Sequence, residues 1–79
     1  MRPTPEQSAR RILGVFKDCE LRAGDSLLPI IFNEPFRNPP WTGEDYRRGI
    51  STSLAKGWIK VEDGLLYLTL WGAEEIGVA

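Results

Sequence analysis

Few side chains in this 79-residue sequence are of the types that carry out catalysis or bind metals. It has no histidine and a single cysteine, Cys19, and no glycine-rich segment with the spacing of a phosphate-binding loop. Cysteines and carboxylates do not recur at the spacing of a metal site. The adjacent acids Glu44-Asp45 and Glu74-Glu75 come at predicted helix starts, where negative charge favours the helix dipole. We therefore predict no enzymatic activity, no metal and no cofactor.

The strongest structural signals lie in residues 42–72. Thr42 can cap a helix, and Asp45, three residues later, completes a capping box. Apolar and small residues then recur at helical spacing until Gly57, where a left-handed backbone is easiest for glycine. A helix over residues 43–56 is predicted. The polar side chains on its other sides are those of Arg47, Arg48, Ser51, Thr52 and Lys56.

A β-hairpin is predicted directly after this helix. Asp63-Gly64 separates two β-rich runs, residues 58–62 and 65–70, and both positions of such a turn need positive φ. The register then pairs Glu62 with Leu65, and side chains alternate between two faces. The aliphatic face, predicted to cover the helices, holds Ile59, Val61, Leu66, Leu68 and Leu70. The outer face, predicted to meet solvent, holds Trp58, Lys60, Glu62, Leu65, Tyr67 and Thr69.

A first helix is predicted over residues 5–23. Thr4 and Gln7 form its capping box, and Gly24 ends it. Its apolar stripe includes Cys19, which we expect to be a small core residue rather than a reactive thiol.

Gly14 lies in the interior of this first helix, where glycine costs about 1 kcal/mol relative to alanine. Two interpretations stay open. Gly14 either lets another backbone approach closely or is simply tolerated on the exposed side.

A short second helix is predicted within residues 25–36, capped by Asp25 and stopped by Pro35. Residues 33–41 are rich in proline and predict an irregular connection. The aromatic residues predicted to be buried there are Phe36 and Trp41.

Length and composition predict one small domain, residues 1–79, with residues 1–4 as an N-terminal arm. The hydrophobic fraction of 42% suffices for a core. One cysteine, no apolar run long enough to cross a bilayer and no signal-peptide core lead us to expect a cytoplasmic protein without membrane contact.

The net charge is −1, but it is unevenly distributed. All lysines and arginines lie in residues 2–60, whereas every charged side chain in residues 61–79 is acidic. Such asymmetry can mark a nucleic-acid-binding face. Nucleic-acid-binding domains, however, typically have an isoelectric point above roughly 9, and that of this chain is about 5.3.

The order of predicted elements resembles that of winged helix-turn-helix domains: helix, short helix, longer helix, hairpin and a final short helical turn. Residues 54–59 (LAKGWI) and 68–72 (LTLWG) are similar to the helix-to-strand and strand-to-helix signatures of MarR- and ArsR-like regulators. The resemblance covers residues 42–72 and implies a small α+β winged-helix fold of three helices and a two-stranded hairpin.

This resemblance implies that the helix over residues 43–56 recognises double-stranded DNA, as in a small transcriptional regulator. The residues that would face DNA are Arg47, Arg48, Ser51, Thr52 and Lys56. Arginine can bind guanine or phosphate, and serine and threonine can donate to phosphate. The same side chains also fit an ordinary solvated helix face. The acidic turn at Glu62 and Asp63 would be repelled by phosphate.

An alternative function is a winged-helix module that binds a protein partner or a second copy of itself without binding DNA. Its interface would be the outer face of the hairpin, because aromatic side chains beside a basic one are enriched at interface hot spots. The residues of this interface are Trp58, Lys60, Leu65 and Tyr67.

Overall fold

The computed structural model of the chain describes residues 3–77. In chain order these residues form α1 (Pro5–Asp18), β1 (Ser26–Leu27), a 3-10 helix (Pro29–Phe32), α2 (Gly43–Ala55), β2 (Ile59–Glu62), β3 (Leu65–Leu68) and α3 (Leu70–Glu75). The strands form one antiparallel sheet in the order β1-β3-β2. The α+β class is confirmed, with three strands rather than the predicted two. Met1 and Arg2 of the predicted arm lie outside the described residues.

Both long helices begin where their capping boxes predict. The Thr4 hydroxyl accepts a hydrogen bond from Gln7 N, and the Gln7 side chain accepts one from Thr4 N in return. Thr42 and Asp45 make the same reciprocal pair at the start of α2. Each box satisfies backbone donors that the first turn of a helix leaves unpaired.

The two long helices pack closely at Gly49 of α2. A Cβ atom at this position would lie 2.7 Å from the Ser8 carbonyl oxygen of α1 and 3.0 Å from the Ile12 side chain. A Cβ atom at Gly14 would have no neighbour within 4 Å among residues 3–77. The close approach of two backbones therefore occurs at Gly49, and Gly14 has open space beside it.

The hairpin has the predicted turn and register. Asp63 and Gly64 both have positive φ, 52° and 77°, and Glu62 pairs with Leu65. Leu66 and Leu68 are buried in a core that α1 supplies from one side. The members of α1 in this core are Ala9, Ile12, Leu13, Val15 and Phe16.

The predicted second helix is wrong. The Asp25 carboxylate accepts a hydrogen bond from Arg22 N at 2.8 Å, so it closes the preceding turn instead of capping a helix. β1 then pairs with β3, with Leu27 opposite Leu66. Leu28 is extended, the conformation favoured before proline, and Pro29 begins only a 3-10 helix.

The first helix is shorter than predicted. Glu20 has a left-handed φ of 58°, so the chain leaves the helix before reaching Gly24. Cys19 is the C-cap of α1 and is exposed, which makes the prediction of a core cysteine wrong.

Three residues of the hairpin segment differ in exposure from the prediction. Trp58 is only 8% exposed because it belongs to the turn before β2 and does not follow the strand alternation. Leu70 is 57% exposed because Thr69 caps a helix that begins there. Val61 pairs with Leu66 and so shares its face, as predicted, but it is 49% exposed near the hairpin turn.

The connection over residues 33–41 contains an aromatic cluster. Phe36 is buried as predicted, and Trp41 is half-buried against it in an edge-to-face pair with ring centroids 5.5 Å apart. Arg11 donates two hydrogen bonds to the Pro35 carbonyl oxygen, at 2.8 and 3.1 Å. These contacts attach the irregular connection to α1.

Candidate functional site

The exposed side of α2 carries part of the predicted basic surface. Arg47 and Ser51 are exposed and one helical turn apart, and Arg48 and Thr52 are half-buried beside them. The Arg47 side chain is 75% exposed, and its Nη2 atom lies 2.8 Å from Glu44 Oε2 on the same helix. This surface is therefore polar, with its most exposed cation already paired.

Lys56 does not join this surface. It follows Arg47 by nine residues, which at about 100° per residue puts the two on opposite sides of the helix. Its ammonium group lies 3.3 Å from Glu6 Oε1 of α1 and 5.1 Å from the centre of the Trp58 ring. Its contacts are therefore with α1 and the buried Trp58.

The hairpin turn is acidic. Glu62 lies 3.5 Å from Lys60 Nζ, and Lys60 lies over the Tyr67 ring at 5.5 Å. Asp63 is exposed, and no ion pair found within residues 3–77 includes it. The negative charge of Asp63 thus faces solvent at the end of the hairpin.

The outer face of the hairpin is less available than predicted. The expectation that Trp58 faces solvent is wrong, because Trp58 is buried and its ring contacts the Arg10 guanidinium, 5.2 Å from the ring centre, and Lys56. Lys60 is exposed, and Leu65 and Tyr67 are half-buried. An interface on this outer face remains a prediction, but the buried Trp58 is no longer part of it.

An open apolar groove lies between α2 and the hairpin. Its volume is about 300 Å³. Val61 is half exposed at its edge, and Ile30, which follows the lining residue Pro29, is 67% exposed. The groove is lined by Pro29, Tyr46, Arg47, Ile50, Val61, Gly64 and Leu66.

Sequence reasoning missed this groove for two reasons. Residues 25–36 were predicted as a helix, and Val61 was predicted to lie under the helices. The available signal was the run Leu27-Leu28-Pro29-Ile30-Ile31, which is too apolar for a solvated helix and is interrupted by proline.

Tyr46 forms the inner wall of the groove. Its ring packs on Phe32 and Phe36, with ring centroids 5.8 and 5.5 Å apart. Burial raises the pKa of the Tyr46 hydroxyl above its ordinary value of 10.0, because removal from water disfavours the charged phenolate. At neutral pH Tyr46 therefore presents a neutral, largely apolar surface.

No set of three histidine, cysteine or acidic side chains within residues 3–77 is arranged to hold a metal ion. In the same part of the chain, every helix is too short or too polar to cross a membrane. The predicted absence of a metal and of membrane contact stays a prediction.

Comparison with protein families, curated proteins and solved structures finds no match to this chain.

Proposed function

We propose that this chain is a small winged-helix domain that binds protein through the groove between α2 and the hairpin. The observation that carries this proposal is an apolar groove of about 300 Å³ that is open to solvent and has Val61 half exposed at its edge. Exposed apolar surface of this kind is typical of interaction sites. The proposal keeps the protein-binding alternative from the sequence but moves the interface to the other side of the hairpin.

The winged-helix assignment is supported by the order of elements. α1, α2, the hairpin and α3 follow one another as the resemblance implies, with β1 and a 3-10 helix in place of the implied short helix. Gly57, with φ of 74°, makes the turn from α2 into β2, and Thr69 caps α3 after β3. These are the two junctions in which the MarR- and ArsR-like signatures lie, so we propose a relationship to those regulators in fold.

Protein binding fits the charge distribution better than DNA binding. A surface that neutralises DNA phosphates carries a local excess of lysines and arginines, whereas many basic side chains of this chain lie beside an acid that cancels their charge. The basic residues with an ion pair are Arg10, Arg37, Arg47, Lys56 and Lys60. The surface beside α2 is apolar in the groove and acidic at the hairpin turn, and neither attracts phosphate.

Photocrosslinking tests the groove directly. We expect benzoylphenylalanine in place of Val61 to give protein adducts in native cells, and the same group in place of Leu70 to give far weaker ones. Leu70 is a matched control, because it is an exposed aliphatic residue that does not line the groove. Equal labelling at both positions would contradict the proposal.

The crosslinked protein, once identified and purified, is then titrated against three forms of the chain by calorimetry. Val61→Glu brings a charge into an apolar interface, so we expect a loss of affinity of at least about tenfold. Leu70→Glu should bind like the wild type. An unchanged dissociation constant for Val61→Glu would refute the groove as the binding site.

DNA binding is the second candidate, favoured by the exposed Arg47 and Ser51 on α2. It predicts that duplex DNA shifts the NMR signals of residues 47–56 at low salt, and that moderate salt weakens the shifts. Arg47→Ala should reduce them, whereas Arg37→Ala should not. Arg37 is a matched control, because it also pairs with a glutamate three residues earlier. Absence of shifts at low salt would eliminate this candidate.

A further inference from the structure

We infer that the groove binds a second copy of this chain, in a dimer whose two-fold axis runs along the groove. This inference rests on the proposed function, since it names the protein that the groove binds. It follows from the charges on the two walls of the groove and from the symmetry that pairs them.

The two walls differ in charge. Arg47 lines the groove on the α2 side with an exposed guanidinium. On the hairpin side, Gly64 lines the groove and Asp63, its neighbour in the turn, has an exposed carboxylate. The pair that Arg47 makes with Glu44 is on the surface of one helix, where such pairs contribute little, so Arg47 can contact a partner.

Symmetry decides which walls meet. A two-fold axis along the groove turns the second copy over, so that its hairpin wall faces the α2 wall of the first. Arg47 of each copy then meets Asp63 of the other, and the contact occurs twice because such an interface is self-complementary. An axis across the groove would instead bring Arg47 against Arg47.

A second copy would also cover apolar side chains in and beside the groove. Val61 and Ile50 of each copy would be removed from water together, and apolar burial is the main driving force of association. Ile30, beside the groove, offers further exposed apolar surface. The net charge of −1 leaves little overall repulsion between copies.

Charge reversal tests this geometry. Arg47→Glu alone brings two acids together at each contact, and Asp63→Lys alone brings two bases together. We expect each variant to dimerise at least about tenfold more weakly than the wild type in sedimentation experiments. An equimolar mixture restores both pairs, so we expect heterodimers within about threefold of wild-type affinity. A mixture no better than the single variants would overturn the inference.

A second variant tests the same charge without straining the backbone at the turn. Asp63 has positive φ, which lysine tolerates poorly and asparagine tolerates well. Asp63→Asn therefore removes the charge without disturbing the hairpin. We expect circular dichroism like that of the wild type, a dimer weakened about threefold or more, and a smaller effect of salt on dimerisation. Unchanged dimerisation by Asp63→Asn would also overturn the inference.

The experiments separate the two proposals. A wild-type chain that stays monomeric up to about 1 mM while Val61 crosslinks to a different protein would overturn self-association and support groove binding. Adducts at Val61 that contain only this chain would support both. Labelling at Val61 no stronger than at Leu70 would overturn both.

Discussion

At the scale of single residues, Gly49 determines how closely α1 and α2 can approach. It lies between Asp45 and Ser53 on the buried side of α2, and the Ser8 carbonyl group fills the space where a side chain would begin. Gly14 is also interior to a long helix, but a Cβ atom there would meet no other described residue within 4 Å. Substituting alanine at each of these two glycines therefore compares the cost of a packing clash with the gain in helix propensity.

Gly49→Ala should destabilise the protein, because a Cβ atom 2.7 Å from the Ser8 carbonyl oxygen forces the helices apart. Alanine favours a helix over glycine, so the expected net loss is about 1–2 kcal/mol of unfolding free energy. Urea denaturation measures it. Gly14→Ala should instead stabilise by about 0.5–1 kcal/mol. The packing explanation fails if both substitutions stabilise the protein equally.

The sequence alone could not distinguish these two glycines. Both lie within strong helical patterns, and the amino-acid pattern contains no information on which helix face meets another backbone at short range. The same holds for Lys56. Its place at the end of α2 was predictable, but its contacts with Glu6 and Trp58 depend on how α1 packs.

At the scale of elements, the features predicted correctly are those that depend on only a few neighbouring residues. The capping boxes at Thr4 and Thr42 and the turn at Asp63-Gly64 each need only local sequence. β1 is different, because two residues have no periodicity and its partner β3 is distant in the chain. A strand stabilised only by remote pairing leaves no local signal.

The predictions for the candidate site also succeeded where they depended on local sequence and failed where they depended on distant contacts. Exposure of Arg47 and Ser51 followed from helical periodicity, and it is confirmed. The groove did not follow, because it forms between α2, the hairpin and the 3-10 helix. Its lining residue Pro29 comes from a segment whose conformation was predicted wrongly. Val61 has the predicted register, but it was predicted to be covered and is exposed.

At the scale of the whole molecule, one aromatic cluster joins segments that are irregular in sequence to a regular helix. Tyr46 of α2 packs on Phe32 of the 3-10 helix and on Phe36 of the connection, and Phe32 also packs on Phe16 of α1. Loss of this cluster would detach residues 29–41 from the core. The ionisation of Tyr46 therefore affects the stability of the entire domain.

The pH dependence of unfolding should report this cluster. Burial raises the pKa of Tyr46 above 10.0 in the folded chain, so above pH 10 the unfolded chain releases a proton that the folded chain retains. Rising alkalinity therefore favours unfolding, and the stabilising contribution is complete only below the unfolded pKa. We expect the unfolding free energy to fall between pH 9 and 11 (about one unit either side of the unfolded value) more steeply in the wild type than in Tyr46→Phe. Urea denaturation across that range measures the slopes, with Tyr67→Phe as the tyrosine control. If Tyr46→Phe and the wild type lose stability in parallel over this range, the ionisation of Tyr46 does not open the fold.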